Sequence, residues 1–257
     1  ALAFATLAGC SLGAPANSAY PARTLAAALP NWGVAGRSPK YLDPASSYST
    51  DETPYTYNIY EPLYGYHYLK RPYELAPRAA AAIDPPRYLD AEGRELPADV
   101  PGERIAESVY DIRIRPGIRY QPHPALARRA DGGYAYYPMP EGGLEGKYAI
   151  TDFPEAGTRE LTADDYVYAF RRLASPRVVS PIYSLMAEYI VGMKAYGDAL
   201  RKRDQALRQG LPPGAGDLPW LDLREGDGFD GVQALDAHTL RIRVKRKYPQ
   251  FKYWLAM

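Results

Sequence analysis

The chain has one cysteine, Cys10, in 257 residues. A single thiol closes no internal disulfide, and three scattered histidines, His67, His123 and His238, are a poor nucleus for a metal site. No metal and no cofactor is expected. Blocks of one charge are lacking too, since 31 Lys and Arg against 30 Asp and Glu leave a formal net charge of +1. A nucleic-acid binder shows clustered basic residues, so no nucleic-acid partner is expected. After the first ten residues no segment approaches the ~20 apolar residues that a membrane span needs. Also missing are a Gly-rich phosphate loop, a G-x-S-x-G elbow and paired histidines at helical spacing, which leaves no readable catalytic constellation.

Phenylalanine is scarce, with 5 copies, while tyrosine reaches 24. Tyrosine joins apolar area to a hydrogen-bonding tip, which suits wet clefts and recognition surfaces as well as half-buried strands. With 25 Pro and 22 Gly, many turns and long connections are expected rather than a helical bundle.

The pattern along the chain predicts a few definite elements. Between Pro54 and Tyr66, Ile59, Leu63 and Tyr66 are spaced as on a helix, with Pro62 disturbing it. Residues 84 to 107 read as a long loop or hairpin connection. In "SVYDIRIRPGIRY", Tyr110, Ile112 and Ile114 alternate with Asp111, Arg113 and Arg115, the period of a half-buried strand, and Pro116-Gly117 turns it. Residues 121 to 160 read as loop.

"LTADDYVYAFRRLASP" predicts a helix capped by Thr162, with Asp165 as a short-armed capping-box partner. Tyr166, Phe170 and Leu173 would form its apolar stripe, with Val167 and Ala174 beside it, and Pro176 would stop it. Asp164 and Asp165 are adjacent carboxylates, but the cap and the helix dipole account for both without acid/base chemistry. A second helix is expected from Ile182 to about Arg208, weakest near Gly192 and Gly197. "LDAHTL" reads as a turn before a strand rather than a proton relay at His238. The basic run "RIRVKRK" continues that strand with one wet face. The aromatic run Phe251, Tyr253 and Trp254 is expected to leave apolar surface exposed as far as Met257.

"ALAFATLAGCS" combines a short apolar run, small residues at Ala8 and Gly9, and the lone thiol. It resembles the lipobox of bacterial lipoproteins. The resemblance implies a signal-peptide remnant at residues 1–9 and a lipidated Cys10. A flexible Ala-, Pro- and Ser-rich tether would follow over residues 10–30.

Beyond the tether, several ordered stretches resemble the N-terminal part of family 5 extracellular solute-binding proteins, the oligopeptide/dipeptide-binding components of ABC importers. They are "YLDPASSYSTDETPYTYNIYEPLY", "YELAPRAA", "VYDIRIRPGIRY", "LTADDYVYAFRRLASP" with the following "SPIY", and "GVQALDAHTLRIRVKRKYPQFKYWL". Together they cover residues 41 to 257. The resemblance implies an α/β fold of the periplasmic-binding-protein-like class II (cluster C) type, here its N-terminal portion with a mixed sheet and flanking helices. Residues 31–58 would be the first segment of lobe I and 59–257 its accessory domain, with insertions near 121–160 and 197–229. The second lobe would lie outside the chain.

The function so implied is a receptor for peptides or similar small solutes and not an enzyme. It would be a monomer, held at the membrane of the bacterial envelope by its lipid anchor, facing the periplasm and docking on an ABC permease of the inner membrane. Ser47, Tyr48, Ser49, Thr50 and Tyr183 would contact the ligand. Relatives can carry a carboxylate in the loop at Tyr48 for the ligand's amino terminus; here the loop is uncharged. Two rival readings are an exported hydrolase whose catalytic half lies beyond Met257 and a structural envelope lipoprotein.

Overall fold

A computed structural model describes residues 37–212, 218–225 and 228–257. Cys10, the signal-peptide remnant and the tether therefore lie outside the described residues. Pro39–Met257 form one unit.

Alternation builds the central sheet. Strand β5 (Glu107–Arg113) and strand β7 (Thr239–Lys245) pair antiparallel over seven residues, from Glu107 opposite Lys245 to Arg113 opposite Thr239. Strand β3 (Arg87–Leu89) pairs with the other side of β5 and with β4 (Glu95–Leu96), so the expected connection at 84–107 contains a short hairpin. Strand β6 (Val232–Asp236) closes the far side, giving the order β4-β3-β5-β7-β6. A separate hairpin joins β1 (Tyr64–Tyr66) to β2 (Leu75–Pro77).

One face of the sheet buries Tyr110, Ile112, Leu240, Ile242 and Val244, as the period of two predicts. The other face is a charge ladder. Arg243 donates to both oxygens of Glu107 at 2.8 and 2.9 Å, Arg241 to both of Asp111 at 2.6 and 2.9 Å, and Arg87 to Asp111 at 2.9 Å. Cross-strand pairs of opposite sign thus hold Arg241 and Arg243 of "RIRVKRK" on the wet face of the strand.

Helix α1 (Thr53–Ile59) ends sooner than the apolar spacing suggests. Tyr60 is already extended (φ −111°, ψ 144°), two residues before Pro62, which offers no N–H to continue the helix. Leu63 and Tyr64 are buried beside the sheet instead of on a helix, and Tyr66 ends β1.

Helix α2 (Ala163–Leu173) starts where Thr162 predicts, and Asp165 Oδ2 accepts the Thr162 N–H at 2.8 Å. Its buried stripe is Ala163, Val167, Phe170 and Ala174, so Tyr166 and Leu173 flank the stripe rather than form it. Tyr166 reaches outward, its hydroxyl donating to the Glu61 carbonyl at 3.0 Å.

The single helix expected from Ile182 is two, α3 (Tyr183–Tyr189) and α4 (Met193–Gln209). Between them Ile190 and Val191 bridge to β7, the Val191 N–H donating to the Arg243 carbonyl at 3.1 Å. Gly192 then turns the chain at φ +75°, a conformation that favours glycine. Gly197 stays helical, and Leu200 of α4 enters the core together with Leu221, Leu223 and Phe229 from the segment after it.

The last helix, α5 (Phe251–Trp254), corrects the expectation of an exposed apolar end only in part, since Tyr253 and Met257 are exposed. Phe251 is fully buried, Leu255 and Ala256 are buried, and the Tyr64 N–H donates to the Leu255 carbonyl at 3.0 Å. The apolar run has a partner in β1. No helix among the described residues is long and apolar enough to cross a membrane.

Candidate functional site

The loop that follows Leu42-Asp43-Pro44 is built from two carboxylates. Asp43 Oδ1 accepts the Ala45 N–H at 3.0 Å, while its backbone carbonyl accepts from Ser46 and Ser47 at 3.0 and 2.8 Å. The same side chain pairs with Arg172 on α2, Nη1 to Oδ1 at 3.0 Å, with Nη2 on the other oxygen. Burial alone would push the Asp43 carboxyl up, but Arg172 and the Ala45 amide outweigh it and hold it below the usual value.

Glu52, 3% exposed, sits beneath the loop. Its carboxylate accepts backbone N–H bonds from Tyr41 at 3.1 Å, Tyr48 at 3.0 Å and Ser49 at 3.2 Å. Burial opposes ionisation here too, yet the amides of Ser49, Tyr48 and Tyr41 prevail and hold the carboxyl at about 2. Glu52 is the residue that sequence reasoning missed. The available signal was the spacing Ser49-x-x-Glu52, the S-x-x-E step that opens a helix.

Ser47 is half-buried, whereas Tyr48, Ser49 and Thr50 are exposed. Glu52 uses the N–H groups of Tyr48 and Ser49, so what this loop offers outward is side chains rather than those amides. Tyr48 stands among other phenols. The Tyr57 hydroxyl on α1 is raised above its usual pKa, first by desolvation and then by the nearby Tyr66 and Tyr48. Tyr66 in turn packs edge-on to Tyr73 at 5.8 Å and stacks with Tyr253 at 6.3 Å. An exposed tyrosine surface thus runs from the loop, over α1, to the β1–β2 hairpin and α5.

Tyr183 stands on a different element. At the start of α3 it packs over α4, so close to Gly197 that a Cβ there would stand 2.0 Å from the Tyr183 hydroxyl. The Arg201 guanidinium lies 5.7 Å from its ring. Among the described residues, no hydrogen bond or ring contact joins Tyr183 to residues 47–50.

Two open concavities lie on other surfaces. One, about 460 Å³, is lined by Asp111, Arg113, Leu235 and His238; the other, about 1010 Å³, by Asp164, Arg171, Tyr196 and Phe229 among others. Neither is lined by the five expected ligand residues. At the first, His238 Nε2 lies 3.0 Å from Glu160 Oε1, whose carboxylate also accepts the Gly117 N–H at 2.6 Å. His238 therefore ties the β6–β7 turn to the end of the 121–160 excursion, and the Asp236 carboxylate accepts the His238 N–H at 2.7 Å. His123 likewise has a local task, accepting the Ala125 N–H at 3.0 Å on Nδ1. Asp165 is taken by Arg159 and the α2 cap, which leaves no carboxylate dyad with Asp164. Among the described residues, no group of three or more His, Cys, Asp or Glu is placed to hold a metal.

No protein-family model and no curated protein matches the chain. Solved structures do. The Escherichia coli murein tripeptide binding protein MppA is similar at 21% identity and TM-score 0.42, over 85% of this chain and 27% of MppA. A periplasmic oligopeptide-binding protein of Borrelia burgdorferi, OppAIV, is similar at 15% identity and TM-score 0.47, over 86% of this chain and 28% of that one. Helicobacter pylori DppA, solved with the peptide STSA, is similar at 16% identity and TM-score 0.38, over 86% and 28%. The chain spans about a quarter of the length of the solved proteins it matches.

Proposed function

We propose that the chain is the N-terminal portion of a family 5 solute-binding lipoprotein, a receptor that delivers peptides or similar small solutes to an ABC permease. The observation that carries this reading is the Asp43–Arg172 pair. Asp43 belongs to the "YLDP" stretch and Arg172 to "LTADDYVYAFRR", two of the stretches on which the sequence resemblance rests, and the pair fixes the loop at 47–50 against α2. A third and a fourth stretch, "VYDIRIRPGIRY" and "TLRIRVKRK", supply the paired strands β5 and β7.

In this reading Ser47, Tyr48, Ser49 and Thr50 face the solute, and Tyr183 adds a contact from α3. A second lobe outside this chain would close over them in a hinge motion of the kind that two-lobed receptors use. Residues 31–58 open lobe I and 59–257 form its accessory domain, with insertions near 121–160 and 197–229. Cys10 carries the lipid that holds a monomeric receptor at the bacterial envelope, on the periplasmic side, and the protein performs no chemistry. Several acyl chains, at ~0.8 kcal/mol per buried CH₂, suffice for stable anchoring.

The test is native mass spectrometry of the full-length protein for co-purified solutes, joined to calorimetry against peptide mixtures. A bound peptide supports the reading, and failure to bind any solute sinks it. Incorporation of labelled palmitate that disappears in Cys10→Ala tests the anchor separately.

A further inference from the structure

Two exposed rings pack against a third, Tyr66, and a cation lies over each of the two. Tyr66 is the shared ring, 5.8 Å from Tyr73 and 6.3 Å from Tyr253. The Arg71 guanidinium lies 4.3 Å from the Tyr73 ring centroid, and the Lys252 ammonium lies 5.4 Å from that of Tyr253. Tyr73 is 62% exposed, Tyr66 40% and Tyr253 37%.

The polar groups of this cluster are unspent. Among the described residues, none of the three hydroxyls has a hydrogen-bond partner, and neither Arg71 nor Lys252 is paired with a carboxylate. Arg71 donates only to the carbonyls of Tyr68 and Lys70, at 3.3 and 2.8 Å, through Nη1. The neighbouring Glu74 is taken by Lys70 at 2.7 Å. A surface with stacked apolar area, free phenols and two uncompensated positive charges complements a ligand that is flat or apolar in the middle and anionic at its ends.

Resting on the peptide-receptor reading, we propose that this cluster is a docking site for an extended acidic peptide. Its central side chains lie on Tyr66, and its carboxylates meet Arg71 and Lys252. Each ring-to-ring step, 5.8 and 6.3 Å, matches about two residues of extended chain at ~3.3 Å each. Tyr57 and Tyr48 continue the aromatic surface toward the loop at 47–50, so the cluster extends the proposed solute site rather than opening a separate one.

The test uses the full-length protein and blocked tetrapeptides, with calorimetry at low and high salt. Asp-Phe-Phe-Asp is expected to bind, with an affinity that falls as salt rises, and to outcompete both Lys-Phe-Phe-Lys and Asp-Ala-Ala-Asp. The double variant R71Q/K252Q, which changes only exposed side chains, is expected to weaken it by about three- to tenfold and to remove most of the salt dependence. Y66A is expected to weaken it by about tenfold. Peptides bound equally well by wild type and both variants, or no preference for the acidic one, would overturn the cluster as the site while leaving the peptide receptor standing. No bound peptide in any assay, including native mass spectrometry of the purified protein, overturns both. Binding only to phosphatidylglycerol vesicles, lost in R71Q/K252Q, also overturns the peptide assignment, since the cluster would then be a lipid contact.

Discussion

Arg172 on α2 grips Asp43 across 129 residues of sequence, through Nη1 at 3.0 Å and through Nη2 on the second oxygen. Both side chains are about a third exposed, so solvent screens the pair and its value is modest. Asp43→Asn is expected to cost about 1 kcal/mol in urea unfolding. Its sharper effect is local. The amides of Ala45, Ser46 and Ser47, all bonded to Asp43, should exchange with deuterium faster than in the wild type while β5 and β7 amides keep their protection.

Glu52 makes the stability of the same loop depend on pH. Its folded-state carboxyl is held at about 2, below the ordinary 4.5, so its contribution is fully present above 4.5 and is lost as pH falls toward 2. Glu52→Gln removes the charge but keeps the shape. The stability gap between wild type and variant is expected to stay constant from pH 7 to 5 and to narrow between 4.5 and 2. Parallel urea titrations at those pH values measure it; a gap that widens on acidification contradicts the assignment.

On α4 a buried carboxylate is held from two sides. Asp204, 5% exposed, receives Arg177 Nε at 2.6 Å and Arg208 Nε at 2.7 Å. Burial disfavours its charge, and the two guanidiniums together overcome that and lower its pKa. Asp204→Ala leaves Arg177 without its carboxylate partner and is expected to cost about 3 kcal/mol. Arg208 is 47% exposed on its side chain, so Arg208→Ala is expected to cost well under half as much. Thermal melts of the two variants give the ratio.

Gly197 has its own reason to lack a side chain. A Cβ there would come within 2.0 Å of the Tyr183 hydroxyl and 2.8 Å of the ring carbon that bears it. Gly197→Ala should raise helix propensity by up to about 1 kcal/mol, yet overpacking of about 1–3 kcal/mol is expected to dominate. Adding Tyr183→Phe removes the nearest atom and should recover part of the loss. A double-mutant cycle in urea reads the coupling, and additivity would show that the two residues do not press on each other.

These positions also show where sequence was readable. Strands β5 and β7 were legible because their apolar residues alternate and each has a single buried face to satisfy. Helix α2 was legible from Thr162 and Asp165, which are local signals. The break at Gly192 was legible only as a weak point, since Ile190 and Val191 leave the helix to bond β7, a partner some fifty residues downstream. The burial of Glu52 was hidden for a similar reason: only the folded loop brings three amides around one carboxylate. The pattern also misplaced Leu63 and Tyr66, because helical spacing persisted past a proline that ends the helix. The five expected ligand residues were reached through resemblance: four lie on the loop before α1 and Tyr183 on α3.

The C-terminal run carries the last prediction. Its aromatic residues looked unpartnered in sequence, yet Phe251 lies fully buried, its ring 5.3 Å from that of Tyr110 on β5. Tyr110 is itself buried by the sheet, so Phe251 ties α5 to the central core rather than to the surface. Phe251→Ala empties a ring-sized space and is expected to cost about 3–5 kcal/mol, whereas Phe251→Leu, which keeps most of the volume, should cost clearly less. Because the Tyr64 N–H bonds to the Leu255 carbonyl, loosening α5 should also free β1, with faster exchange at the Tyr64 amide. If Phe251→Ala melts within a degree or two of the wild type, the segment is not packed as described.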